Sequence, residues 1–202
     1  MNTLSYAGGV LFAFGFGPYI LAIFGRNVWG RQTEPTKPAQ FTWIVWASLN
    51  TVILYTLDKN QAINGLILSQ FGLAWIVAGL SLVRGSRTWT VVDVVCAVLF
   101  AVAYVSYTLA NYYQPEIAHF DTSVVLALAM LCASWSMFFT AWENPESESL
   151  FGWVIYCVAG ILTVAGMPSW DTKVSAQPIM FLVIATITVC ILVGRTWKIV
   201  RR

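Results

Sequence analysis

Long apolar runs separated by short polar gaps dominate the sequence. A helix needs about 20 mostly apolar residues to cross the hydrocarbon core of a bilayer. Such runs occupy residues 4–24, 41–57, 62–83, 89–112, 122–141, 150–167 and 176–193. The gaps between them hold nearly all of the charged residues. The pattern predicts an all-α membrane protein with seven transmembrane helices.

The composition supports the same class. Of the 202 residues, 58% are hydrophobic and 10% are charged, whereas soluble domains average about 25% charged residues. The ten tryptophans suit a protein with two lipid–water boundaries, where aromatic side chains collect. These values exclude a soluble enzyme, a nucleic-acid reader and a secreted disulfide scaffold. Little chain is left over for an extramembrane domain, so we expect one transmembrane domain over residues 1–202.

Lysine and arginine are divided unequally between the two sets of gaps. Loops on the cytoplasmic side of membrane proteins carry an excess of these residues. Nine share one side with the C-terminal tail, namely Arg26, Arg31, Lys37, Arg84, Arg87, Arg195, Lys198, Arg201 and Arg202. The opposite side has two, Lys59 and Lys173. This predicts a multi-pass protein of the cell or inner membrane, with the N-terminus outside, the C-terminus in the cytoplasm and the first run retained as a helix.

A short pattern recurs along the chain. Pro35, Phe41 and Trp43 match Pro145, Phe151 and Trp153 at a shift of 110 residues. Each copy opens a helix on the same predicted side of the membrane, so helix two corresponds to helix six. Helices one to three then repeat as helices five to seven in the same orientation, which is a parallel repeat.

The first copy carries a further pattern. Gly17-Pro18-Tyr19 lies near the end of helix one, a basic loop follows, and Phe41-Thr42-Trp43 opens helix two. This arrangement resembles the PQ-loop/SWEET superfamily of small membrane transporters, although Pro18-Tyr19 stands where the family has Pro-Gln. The resemblance implies a 3+1+3 build of a divergent, bacterial-type member: a first repeat over 1–83, a connector helix over 89–112, and a second repeat with the basic tail over 120–202.

The same resemblance implies transport of a small polar or amphipathic solute, such as a sugar, a nucleoside or a vitamin. Transport would be by facilitated diffusion or coupled to protons, at a site near the midplane between the two halves. The alternative is an integral membrane scaffold, receptor or assembly subunit whose polar residues merely pack helices. That alternative predicts that replacing Asn50 with leucine costs little stability and that no small ligand binds.

Polar and aromatic residues inside the runs are the candidates for solute binding. Asn50 shares one helical face with Trp43 and Trp46, and an amide at that depth needs a partner, which a solute or a neighbouring helix could supply. Gln70, Trp75 and Trp135 lie within runs three and five. Tyr104 and Tyr107 belong to a polar stripe on helix four, which either lines a pathway or packs on neighbours.

Two further residues have candidate roles in the transport cycle. Pro18 breaks a backbone hydrogen bond inside its helix and, beside Gly15 and Gly17, is the candidate gating hinge, with a static bend as the alternative. Asp93 is the candidate for proton coupling, although a carboxylate near the boundary can equally pair with a nearby arginine. The acidic gap before helix six, which contains Glu143, Glu146 and Glu148, is interpreted as a solvated turn that caps that helix.

Other chemistry finds little support in the residues. His119 is the single histidine and lies in a gap, so we expect neither a metal site nor a catalytic triad, no cofactor and no enzymatic activity. A retinal photoreceptor is disfavoured because Lys173 and Lys198 flank the last run. The expected partners are a small-molecule solute and the lipid bilayer, with no nucleic acid. Glycines such as Gly8 and Gly160 permit close helix contacts within one chain or in a homo-oligomer.

Overall fold

The computed structural model describes residues 3–24, 40–59, 63–85, 91–113, 125–143, 145 and 148–200. Within these ranges 91% of the residues are helical and no strand occurs, so the all-α prediction is confirmed. In chain order the helices are α1 (Thr3–Ile23), α2 (Gln40–Lys59), α3 (Gly65–Arg84), α4 (Val91–Tyr113), α5 (Val125–Glu143), α6 (Leu150–Ala165) and α7 (Thr172–Val200).

Four helices are long and apolar enough to cross a membrane, by length and composition. These stretches are Thr3–Leu21, Gly65–Arg84, Val125–Glu143 and Val174–Arg195. Shorter apolar segments lie in the other helices, at Trp43–Tyr55, Ala97–Ser106 and Leu150–Ala165. The described part of the chain is therefore compatible with a membrane protein, as the apolar runs predict.

Helix α7 is longer than its apolar run at both ends. The backbone carbonyl of Asp171 accepts from the amides of Val174 and Ser175, at 2.9 Å each, and so begins the helix ahead of the apolar residues. At the other end the helix continues to Val200 through the basic tail, where cationic side chains favour a helix C-terminus. Neither extension can be predicted from hydropathy alone, because both added stretches contain polar and charged residues.

Polar caps begin α3 and α6. Asn64 Oδ1 accepts from the amide of Ile67 at 2.9 Å, and Ser149 Oγ accepts from the amide of Gly152 at 3.2 Å. Ser149 therefore caps α6, and the expectation that the acidic gap does so is wrong for Glu148, whose carboxylate lies elsewhere. Glu146 lies outside the described residues.

The helices close into a ring. Helix α1 packs against α3 and α6, and the order around the ring is α1, α3, α2, α4, α5, α7, α6. Smaller contacts cross it, including one between α3 and α6 and one between α2 and α7. Helix α4 contacts α2 and α5 and exposes many of its apolar side chains, so it lies at the periphery.

Small residues join the N-terminal half of α1 to its neighbours. A methyl group at Gly65 of α3 would lie 2.6 Å from the backbone oxygen of Ser5, and one at Gly166, after α6, would lie 2.6 Å from the Ser5 amide nitrogen. Ser69 Oγ also donates to the carbonyl of Gly9 at 2.8 Å. We call this region the Gly9 end of the bundle.

The opposite end holds the C-terminal ends of α1 and α3 and the N-terminal ends of α2 and α6; we call it the Glu148 end. Gln40 Nε2 donates to the Ser81 carbonyl at 2.8 Å, which ties α2 to α3. The guanidinium of Arg84 lies 4.8 Å from the centre of the Phe24 ring. Between the two ends the core is apolar, with Phe12 in contact with Phe16, Tyr156 and Phe181.

Candidate functional site

Two buried glutamines meet between helices that are not neighbours in the ring. Nε2 of Gln177, on α7, donates to Oε1 of Gln70, on α3, at 2.8 Å. The bond uses one donor and one acceptor, and it leaves Gln70 Nε2 and Gln177 Oε1 buried with no hydrogen-bond partner among the described residues. The two unpaired atoms are therefore one hydrogen-bond donor and one acceptor. A ligand that carries both an acceptor and a donor could bond to them.

The two glutamines occupy the same register. Each is the sixth residue of its helix, counted from Gly65 in α3 and from Thr172 in α7. In the sequence Gln70 is near the middle of its apolar run, whereas in the structure α3 begins at Gly65, so Gln70 lies in the second turn. The pair consequently lies towards the Gly9 end and not at mid-depth.

Asn50 is a second buried amide, the eleventh residue of twenty in α2 and therefore at mid-depth. It is 1% exposed. Its Nδ2 donates to the Trp46 carbonyl of its own helix at 2.8 Å, while Oδ1 is buried and accepts no hydrogen bond from any residue that the structure describes. In the described part of the bundle Asn50 thus makes no hydrogen bond to a neighbouring helix, which is unlike a residue that serves to join helices.

The aromatic candidates lie away from these amides. Trp75 is 45% exposed and donates to Thr51 Oγ1 at 3.0 Å, and Trp135 is 52% exposed beside Phe139. Tyr104 is also nearly half exposed and stacks on Phe100. These three side chains therefore lie on the outer surface of the bundle, and their predicted part in binding stays a prediction.

Two other candidates cannot be placed by their side chains. Tyr107 and Asp93 belong to α4, but their side chains lie outside the described part of the structure. His119 lies in an undescribed gap. No group of three His, Cys, Asp or Glu residues close enough to hold a metal occurs among the described residues.

Pro18 lies inside α1, which continues through it to Ile23. Its flanking glycines differ in their surroundings. A methyl group at Gly15 would lie 2.6 Å from Cε1 of Tyr156, so this glycine permits close packing of α1 on α6. At Gly17 nothing lies within 4 Å of such a methyl group, so close packing does not require a glycine at this position. A hinge at Pro18 remains a prediction, with Gly17 as its freer neighbour.

At the Glu148 end, polar groups close over the aromatic core. Trp43 Nε1, on α2, donates to the Tyr19 hydroxyl of α1 at 3.2 Å, and the two rings lie 5.5 Å apart. Trp153 Nε1, on α6, donates to Glu148 Oε2 at 2.9 Å, and the Trp153 ring meets Tyr156 edge-on at 5.2 Å. Each tryptophan is the fourth residue of its helix. We call these five residues the end cluster.

Burial controls the charge of the end cluster. Part of Glu148 reaches the surface, yet removal of its carboxyl group from water raises the pKa above the usual value for glutamate. The hydrogen bond from Trp153 acts in the opposite direction, because it stabilises the carboxylate, but it is the smaller influence.

Sequence reasoning identified Gln70 and Asn50 but missed Gln177 and Glu148. The repeat held a signal for Gln177, because the 110-residue shift carries Gln70 to within three residues of it. For Glu148 no signal is present, since an inward turn cannot be read from an acidic gap. The chain matches no family model, no curated protein and no solved structure.

Proposed function

We propose that the chain is a multi-pass membrane transporter of a small polar or amphipathic solute. In this proposal α1–α3 and α5–α7 are two parallel three-helix units, α4 joins them, and the solute crosses between the units by alternating access. The observation that carries the proposal is the buried, unpaired Oδ1 of Asn50 at mid-depth in α2.

A buried polar atom without a partner costs about 1–3 kcal/mol. Asn50 is held by a bond to its own helix, and no group among the described residues bonds to its side-chain carbonyl oxygen. A solute hydroxyl or amide provides the missing donor. Gln70 Nε2 and Gln177 Oε1 add a free donor and a free acceptor to the same buried set.

The order of the helices supports the two-unit build. The contacts run α1–α3–α2 in the first unit and α5–α7–α6 in the second, which is the same order under the repeat. The repeat also converts one contact across the ring, α3–α6, into another, α7–α2. Helix α4 fits between α2 and α5, as a connector would.

Polar contacts join the two units towards each end of the bundle. Alternating access requires contacts of this kind that can open at one end while the other end stays closed. The Gln70–Gln177 bond joins the third helices of the two units towards the Gly9 end. The end cluster joins α1 and α2 to α6 at the opposite end. Arg84 and Arg195 lie towards the C-terminal ends of α3 and α7, and the proposal keeps the N-out, C-in orientation that the charge distribution of the sequence predicts.

A thermal-shift screen tests the proposal. Purified protein is heated with sugars, nucleosides, vitamins and amino acids, alongside Asn50→Leu and the control Thr186→Val, which removes an exposed hydroxyl that, like the Asn50 amide, bonds to the carbonyl four residues earlier in its own helix. A ligand at 100 times its Kd adds about 2.7 kcal/mol of stability. We expect a compound that stabilises the wild type and the control but not Asn50→Leu, and that accumulates in proteoliposomes.

The alternative, a scaffold or assembly subunit, predicts a different result. No compound then stabilises the protein, and Asn50→Leu is as stable as the wild type or more so, because the unpaired carbonyl is gone. That pair of outcomes would overturn the transport proposal.

A further inference from the structure

The end cluster contains a carboxyl group, that of Glu148, which the transport proposal does not use. Glu148 belongs to the linker before α6, yet its Oε2 accepts from Trp153, one turn into the helix. Trp153 in turn packs on Tyr156, and Tyr156 lies 5.7 Å, ring to ring, from Phe16 of α1. The carboxyl group thus stands at the boundary between α6 and α1.

The described groups that face Glu148 are uncharged at neutral pH. Among the described residues, the titratable ones that interact with it electrostatically are Tyr19 of α1 and Tyr156 of α6. Helix α2 contributes the indole of Trp43, bonded to Tyr19, and α7 contributes the ring of Phe181 behind Tyr156. A tyrosine is neutral below about pH 10, so neither phenol compensates the charge of a carboxylate.

We infer that Glu148 is a proton-binding site that holds the Glu148 end of the bundle closed when protonated and favours its opening when ionised. The inference rests on the proposed transporter, for which it supplies a proton-linked step. A carboxyl group packed against aromatic rings and uncompensated by a described cation binds a proton more tightly than one exposed to water. The packed arrangement therefore gains stability when Glu148 is protonated and loses it when the proton leaves.

The direction of the pH dependence follows. Burial raises the pKa of Glu148 in the closed cluster, while an opened and hydrated cluster returns it towards the ordinary value of about 4.3. Closure is thus favoured at acid pH, and it weakens as pH rises through the raised pKa. On the predicted cytoplasmic side, release of the proton would accompany opening.

Backbone hydrogen exchange measures this closure without a substrate. The exchange of the segments around Tyr19 and Tyr156 is followed at about pH 5 and about pH 8, both above the ordinary glutamate pKa of about 4.3, and corrected for intrinsic exchange. In the wild type we expect stronger protection at the acid pH. The opening equilibrium changes tenfold for each pH unit that separates the two pKa values of Glu148.

Three variants sharpen the test. Glu148→Gln, an uncharged mimic of the protonated form, should keep the protection at both pH values. Glu143→Gln, which changes an exposed carboxyl group at the end of α5, is the matched control and should behave as the wild type. Trp153→Phe keeps an aromatic ring but removes the hydrogen bond that lowers the pKa, so its loss of protection should move to higher pH.

The inference fails if wild type and Glu148→Gln show the same pH dependence, or if Trp153→Phe moves the change to lower pH. These results are independent of any solute. If closure depends on Glu148 but no solute stabilises the protein in the thermal-shift screen, the proton site is retained and transport is rejected. If a solute binds but Glu148→Gln has the same pH dependence as the wild type, transport is retained and the proton site is rejected.

Discussion

Gln70 and Gln177 stand at the same register of two helices that do not neighbour each other in the ring, and their side chains meet at 2.8 Å. Helices α3 and α7 each have two neighbours along the ring. A side-chain bond between them therefore crosses the interior and does not run along an interface. The pair therefore adds a polar bond across the interior to the packing of α1 on α6 that already joins the two halves.

The first prediction concerns this pair. Gln70→Leu or Gln177→Leu removes one amide and leaves the other buried and unpaired, so each single variant should lose about 1–3 kcal/mol of stability. The double variant removes both amides and should recover most of that loss. Thermal unfolding in detergent of the four proteins measures the coupling. Additive losses would contradict the crossing bond.

The close approach of α1 to α3 gives a second prediction. Gly65→Ala sets a methyl group against the backbone of Ser5, which cannot move aside as a side chain can. Overpacking of this kind costs about 1–3 kcal/mol. Gly72→Ala, in the same helix with open space around it, is the control and should be neutral or stabilising. Equal melting temperatures for the two variants would speak against the contact.

The helix caps give a third prediction. Asn64→Ala and Ser149→Ala each remove a side chain that accepts from a backbone amide at a helix start. Each should lower stability by about 1 kcal/mol. Ser149→Ala should leave the pH dependence of closure at the Glu148 end unchanged, because the cap and the carboxyl group are separate. A change in that pH dependence on Ser149→Ala would show that the helix cap and the carboxyl group act together.

A fourth prediction tests the hinge at Pro18. Gly17→Ala meets no neighbour and improves helix propensity by up to about 1 kcal/mol, so stability should be maintained or rise. If α1 bends here during transport, the variant should bind solute normally but move it more slowly in proteoliposomes. An unchanged transport rate with raised stability would assign Pro18 to a static bend.

The helices were predictable because an apolar run of sufficient length has few alternatives in a bilayer. The ends of the helices were harder to predict, because capping and charge interactions there depend on three-dimensional contacts. Helix α7, for example, extends through polar residues at both ends. Gln70 and Asn50 were identifiable as amides inside apolar runs. The inward turn of Glu148 was not, because its position depends on Trp153, five residues on, and on rings from α1.

The contact of α1 with α3 and α6 near Gly9 is backbone against backbone, and it leaves little freedom for α1 to slide or rotate there. A rod clamped at one end acts as a lever whose displacement grows with distance from the clamp. Tyr19 lies ten residues beyond Gly9, about 15 Å along the helix. A tilt of roughly 10° would shift it by about 2.6 Å over that length, enough to part the Tyr19 hydroxyl from the Trp43 indole.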